Sequence, residues 1–262
     1  MGDGAEDGGE EAASSPLGRL AKLIRGLGSL TGLTPLLDKL VSQSEVVLVE
    51  GRKCVRKRYL KEVGIIKWIP PAILFRATYP FTLSPRERFR REVSFLKHSW
   101  VGIGVPKIIE ADERKLELVR EFVDGDLINY FRDAERVAEA LGRIHREGWA
   151  LGDVKPTNFL SGHDGLIYVI DAEQAVSTSG VPHRAWDVAL TAFFAAYSNL
   201  PDLNAYEAFL RKFLRKYVST YGGVEVLREV SNFHFGGIFL LLPLPHTFTL
   251  ADVIEDVINE FG

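Results

Sequence analysis

The chain has 262 residues, 46% of them apolar and 26% charged, the balance of a soluble protein that buries a sizeable core. A net charge of −3 and a pI near 6.1 argue against a protein whose main task is to coat nucleic acid. No run approaches the roughly 18–20 apolar residues of a membrane span; the longest near the end, Ile238 to Leu242, is broken by Pro243 and Pro245. A single cysteine, Cys54, excludes an internal disulfide and a thiolate zinc cluster, and fits a reducing, cytoplasmic setting. The opening MGDGAEDGGE has neither the basic nor the apolar part of a secretory signal.

Residues 1–15 are Gly-, Asp- and Glu-rich and are expected to stay disordered. From Pro16, leucines recur at helical spacing with Arg19, Lys22 and Arg25 between them, and a second short helix is expected around Pro35 to Val41. Glu45 to Val49 and Lys53 to Tyr59 are β-rich runs joined by Glu50-Gly51-Arg52, a hairpin. Trp68 to Pro85, punctuated by prolines, reads as irregular. Ser84-Pro85-Arg86-Glu87 opens a charged helix with Phe89, Val93, Phe95 and Leu96 on its apolar side. Val105 to Ala111 and Leu116 to Phe122 form a further strand pair.

After a hinge at Phe122 to Gly125 the pattern turns helical. Helices are expected over Leu127 to Phe131, Ala134 to Arg146, Ala185 to Ser198 and Ala205 to Tyr221. Two short strands fall near Asn158 to Ser161 and Leu166 to Ile170. A terminal amphipathic helix is expected with Thr249 and Asp252 as its capping box. The expected organisation is therefore a tail over 1–15, a strand-rich part with its helical extension over 16–121, and a helical part over 122–262.

The segment Leu151-Gly152-Asp153-Val154-Lys155-Pro156-Thr157-Asn158 carries the chemistry, followed 13 residues after Asn158 by Asp171 at the end of Ile167-Tyr168-Val169-Ile170. Phosphoryl transfer from a triphosphate needs hard oxygen ligands for Mg²⁺, a cation on the moving phosphate and a carboxylate to orient the hydroxyl. Asn158 and Asp171 suit the first need, Lys155 the second and Asp153 the third. Alternation places Val55, Lys57 and Tyr59 on one strand face and Arg56 and Arg58 on the other.

Asp-x-Lys-Pro-x-Asn, then an apolar strand and Asp, resembles the catalytic loop and metal-binding strand of the protein-kinase-like superfamily. The resemblance implies a two-lobed α+β fold, a strand-rich first lobe and a helical second, with ATP and Mg²⁺ in the cleft. It implies Lys57 and Glu92 as the pair that fixes the nucleotide phosphates, with Lys53, Arg56 and Arg58 competing for the first role and Glu87 for the second, and Glu121 and Val123 as the hinge positions that meet the base. It also implies that Asp187 braces the catalytic loop.

Gly-x-Gly-x-x-Gly is missing before Glu45, Leu151-Gly152-Asp153 stands for His-Arg-Asp, and Asp171-Ala172-Glu173 for Asp-Phe-Gly. Only sixteen positions separate Asp171 from Asp187, too few for a long activation segment. These departures are similar to the RIO kinases and to the small kinase of the KEOPS tRNA-modifying assembly. They imply an atypical serine/threonine kinase or associated ATPase with a protein acceptor or partner, or an RNA-associated complex, as company. Two alternatives stay open: a small-molecule kinase of the aminoglycoside or choline type, in which Glu173 assists the metal, and a non-catalytic nucleotide-binding scaffold. The bland expectations are a packed His145, a solvated Arg86–Arg91 cluster, core packing for Phe233 to Phe248, and a small buried role for Cys54.

Overall fold

Two β-rich runs form the hairpin β1 (Ser44–Val49) and β2 (Arg52–Arg58) of the computed structural model, with Glu50 and Gly51 both at positive φ (49° and 76°), as a two-residue hairpin turn requires. Residues 44–60, 69–178, 180–232 and 236–262 are described. The tail and helices expected before residue 42 lie outside them.

Strands β3 (Ile108–Asp112) and β4 (Glu117–Glu121) complete a four-stranded antiparallel sheet in the order β1-β2-β4-β3. In its register Lys57 stands opposite Leu118, and Val55 opposite Arg120, so these four side chains share a face. Between the two hairpins the chain forms α1 (Ile69–Leu74), an extended stretch, and α2 (Pro85–Lys97). The short helix corrects the reading of Trp68 to Pro85 as wholly irregular, for Pro70 and Pro71 fall in its first turn, where no amide is needed. Helix α2 begins as expected: Ser84 Oγ accepts from Glu87 N (3.3 Å), and Pro85 occupies the first turn.

The second half starts with a strand rather than the expected helix. Gly125–Leu127 is β5, paired with β7 (Phe159–Gly162), which pairs in turn with β8 (Ile167–Val169). Helix α3 (Tyr130–Arg146) begins only after Asn129, whose Oδ1 accepts from Phe131 N and Arg132 N. The two-residue strands β6 (Trp149–Ala150) and β9 (Val176–Ser177) pair around the segment that carries Asp153 and Asp171.

Helices α4 (Val181–Ser198), α5 (Leu203–Tyr221), α6 (Glu225–Val230), α7 (Gly236–Phe239) and α8 (Leu244–Phe261) complete the chain. Phe209, Phe213 and Tyr217 recur every fourth residue along α5 and are buried, which turns one aromatic stripe into core. Helix α8 starts before Thr249. That residue lies inside the helix and its hydroxyl donates to Pro245 O (2.9 Å), so the expected capping box is not formed. The core expectation for Phe233 to Phe248 holds for Ile238, Leu242 and His246, whereas Leu240, Leu244 and Phe248 are exposed; residues 233–235 lie outside the described set. Cys54 is buried. No described helix is long and apolar enough to cross a membrane. The fold is α+β, an antiparallel sheet followed by a helical region.

Candidate active site

The loop Leu151–Lys155 leaves β6 and is held from below by one buried carboxylate. Asp187, on the second turn of α4, accepts Leu151 N at 2.6 Å and Gly152 N at 2.7 Å. Its Oδ2 also lies 3.1 Å from His145 Nε2, while His145 Nδ1 lies 2.7 Å from the Tyr217 hydroxyl. A neutral imidazole satisfies both contacts, Nε2–H donating to Asp187 and Nδ1 accepting from Tyr217. From above, Trp186 Nε1 donates to Gly152 O (3.0 Å) and the Tyr130 hydroxyl to Val154 O. Gly152 has φ +75°, and a Cβ there would stand 2.4 Å from the Tyr79 ring, so glycine is required on both counts. The loop is thus rigid where it presents Asp153.

The β7–β8 hairpin brings the remaining polar positions together. Ile170 N donates to Asn158 O (2.9 Å), which sets Asp171 beside the 3₁₀ turn Pro156–Asn158. Asn158 Nδ2 donates to Asp153 O (2.9 Å), so the amide's carbonyl end is the one suited to a cation. Lys155 Nζ donates to Asp153 Oδ2 (2.9 Å). Burial works to lower the Lys155 pKa, but Asp153 and Asp171 outweigh it and keep the ammonium charged.

Lys57 is the centre of the buried charge. Its Nζ lies 2.6 Å from Glu92 Oε2, 2.9 Å from Asp171 Oδ1 and 3.1 Å from Glu173 Oε2. Burial opposes its charge, yet the three carboxylates raise its pKa well above the ordinary lysine range. Burial pushes Glu92 up against the pull of Lys57, and the Tyr59 hydroxyl donates to Glu92 at 2.6 Å. Three carboxylate oxygens, from Glu92, Asp171 and Glu173, lie within 4.8 Å of one another, and the Lys57 ammonium meets all three residues. Alternation had selected Lys57 over Arg56 and Arg58, and only Lys57 of the three is buried.

Of the two hinge positions, Glu121 uses its backbone N–H on Lys107 O (2.8 Å). A cavity of about 310 Å³ lies between the linker Glu121–Asp124 and the β7–β8 turn, lined also by His163 and Tyr168. Lys57, Asp153 and Asp171 do not line it, so it is separate from the buried charge cluster.

Arg88, Tyr79 and Gln174 escaped the sequence reading, and Glu173 entered it only as an aid to the metal in a small-molecule kinase. Arg88, expected among solvated arginines, is fully buried, with Nη1 3.3 Å from Glu173 Oε2 and Nη2 donating to Tyr59 O (3.0 Å). Glu173 is equally buried between Arg88 and Lys57. Tyr79 and Gln174 are buried as well and bonded to each other's segment. Only a helical-wheel reading that put Arg88 beside Phe89, Glu92 and Phe95 carried any signal for this.

The brace makes a pH prediction. Burial lowers the His145 pKa below 6.5, against the opposing effect of Asp187. The unfolded chain then binds more protons than the folded one as pH falls through the unfolded histidine value near 6.5, so this stability, complete above that value, is lost below it. Melting temperature should fall between pH 7 and 5.5, and His145→Gln should flatten that part of the slope. An unchanged slope in the variant would remove His145 as the source.

The antiparallel sheet β1-β2-β4-β3 followed by the helical region is kinase-like in fold. No family model matches the chain. The chain is distantly homologous to a probable bifunctional tRNA threonylcarbamoyladenosine biosynthesis protein of Methanosarcina mazei, 30% identical over 152 residues, 55% of this chain and 26% of that protein. A protein of the same description from Methanocorpusculum labreanum is 30% identical over 105 residues, 39% of this chain and 20% of that one. The chain spans about a quarter of the length of the curated relatives it matches. Among solved structures, the bifunctional kinase-methyltransferase WbdD is 17% identical, with a TM-score of 0.45 over 82% of this chain and 47% of that one. A co-crystal structure of WbdD with the kinase inhibitor LY294002 gives 15% identity and a TM-score of 0.46, over 84% and 44% of the two chains.

Proposed function

We propose that the chain is an ATP- and Mg²⁺-dependent phosphotransferase that moves a γ-phosphoryl group to a hydroxyl, most readily a serine or threonine of a protein. The observation that carries this reading is the Lys57 ammonium held between Glu92 and Asp171 at 2.6 and 2.9 Å, across 114 residues of sequence. A cation fixed by a helix on one side and a metal-strand carboxylate on the other suits a polyphosphate, and a purely structural core replaces such a network with apolar side chains at no loss.

Asp171 and Asn158 offer a carboxylate and an amide oxygen, the hard donor set that fits Mg²⁺, and they are the residues that would hold it. When bound, the metal neutralises phosphate charge. The chain's own residues do the rest. Lys57, oriented by Glu92, binds the non-transferred phosphates, and Lys155 steadies the transferred one. Asp153 orients the acceptor hydroxyl and takes its proton on a carboxylate oxygen, held in place by the backbone that Asp187 fixes. Glu121 and Val123 flank the base. The similarity to tRNA threonylcarbamoyladenosine biosynthesis proteins supports work beside a protein partner in an RNA-associated complex.

Labelled-ATP turnover, with a generic protein acceptor and with water, is the test. Asp153→Ala and Asp171→Ala should each reduce it about 100-fold or more. Undiminished turnover in both variants would overturn the site.

A further inference from the structure

The stretch between α1 and α2 lies on the catalytic loop and on the turn after Asp171, and it holds them through side chains 71 to 95 residues away. The Tyr79 hydroxyl donates to Gln174 O (2.8 Å) and lies 3.2 Å from Ala150 O, where the catalytic loop begins. Gln174 answers with both ends of its amide: Oε1 accepts Thr82 N, and Nε2 donates to Thr82 O, each at 3.0 Å. Its side chain thus pairs with Thr82 as a strand backbone would. Arg91 Nη1 donates to Pro80 O (2.9 Å) and Arg88 joins Glu173 at 3.3 Å, so α2 is tied to the same place from its own first turns. Tyr79, Phe81 and Trp186 pack ring against ring, with centroids 4.9 to 6.2 Å apart. Tyr79 and Gln174 are fully enclosed.

We infer that Tyr79, Thr82 and Gln174 form a clasp that fixes α2, and with it Glu92 and Lys57, against the Asp171 strand end. This rests on the phosphotransferase reading above, and it assigns Tyr79 and Gln174 as positioning residues for that site. The physical reason is the short interval between Asp171 and Asp187. With no long segment there to anchor the helix that carries Glu92, the anchor comes from the residues preceding that helix. Hydrogen bonds in an enclosed site hold geometry best when both partners are satisfied, as the reciprocal amide pair is. The helix is therefore set by the fold itself, without a modification that has to order it.

The test compares the full-length wild type with Gln174→Leu, which removes both Thr82 bonds at similar volume, and with Tyr79→Phe, which removes one hydroxyl and keeps the ring. Hydrogen exchange over 86–97 and 171–176 is read first, without nucleotide. Both variants should exchange faster there than wild type, Gln174→Leu more so, while exchange over 206–218 stays unchanged. ATP affinity is read second, and Gln174→Leu should weaken it about tenfold, the worth of one to two buried hydrogen bonds. Wild-type exchange over α2 in both variants would overturn the clasp. A wild-type protein that binds no ATP would instead sink the phosphotransferase reading, and the exchange data would still decide the clasp. Should Gln174→Leu fail to fold, Tyr79→Phe carries the same two readouts.

Discussion

Lys57→Met is expected to lose about 3–5 kcal/mol of folding stability along with nucleotide binding, the cost typical of removing one partner from a buried ion network. Methionine fills the volume but leaves Glu92 and Glu173, both about 1% exposed, without the ammonium that now lies 2.6 and 3.1 Å away. Arg88 still faces Glu173 at 3.3 Å, and Arg120 Nε stands 3.9 Å from Glu92, too long for a hydrogen bond. Glu92, already pushed up by burial, loses the pull of Lys57 and holds its proton to higher pH. A carboxyl whose folded pKa lies above its unfolded one stabilises the fold below the unfolded value and loses that contribution as pH rises. The variant should therefore regain part of its deficit as pH falls from 7 to 5. Urea denaturation at the two pH values measures this, and a variant as stable as wild type at pH 7 would remove Lys57 as the counter-ion.

Asp187→Ala should be nearly as damaging by a different route. It leaves the Leu151 and Gly152 amides and His145 Nε2 without their acceptor in a place no water reaches, since Asp187 and His145 are 0% exposed. Each of the three stranded donors costs about 1–3 kcal/mol, so a loss of about 3 kcal/mol or more is expected. The loss should be local first: exchange over 150–154 rises before the rest of the chain responds, because the brace is the loop's main tie to α4. Protection of Leu151 and Gly152 that survives the substitution would show that something else holds the loop.

The convergence of the polar side chains was the legible part of the sequence. Asp153, Lys155, Asn158 and Asp171 lie within nineteen residues, and a turn between two short strands folds them together by local rules alone. The pleat set Lys57 on the face away from Arg56 and Arg58, because a strand's side chains alternate whatever else the chain does. The charged helix from Pro85 was legible through its cap. What stayed hidden depends on distant partners. Arg88 reads like its arginine neighbours until Glu173, 85 residues on, is placed beside it. Gln174 and Tyr79 carry no local pattern, and their roles exist only once the turn after Asp171 meets the stretch before α2.

Local rules also erred where tertiary pairing took over. Leu127 has helix propensity, but β7 offers β5 a strand partner, with Leu127 opposite Leu160. Thr249 and Asp252 have the spacing of a helix start, yet the helix begins more than a turn earlier, at the prolines 243 and 245.

The bridge between Gly104 and β8 has a mechanical consequence. Gly104 N donates to Ile167 O and Gly104 O accepts from Val169 N, both at 2.9 Å, with the Tyr168 ring lying where a Cβ of residue 104 would be. Together with the ties at Tyr79 and Gln174 and the ion pairs of Lys57 and Arg88, this stitches the sheet-bearing half to the helical half at several separate points. A body pinned at several points that share no line has no axis left to swing about. Gaping of the whole molecule is thereby disfavoured.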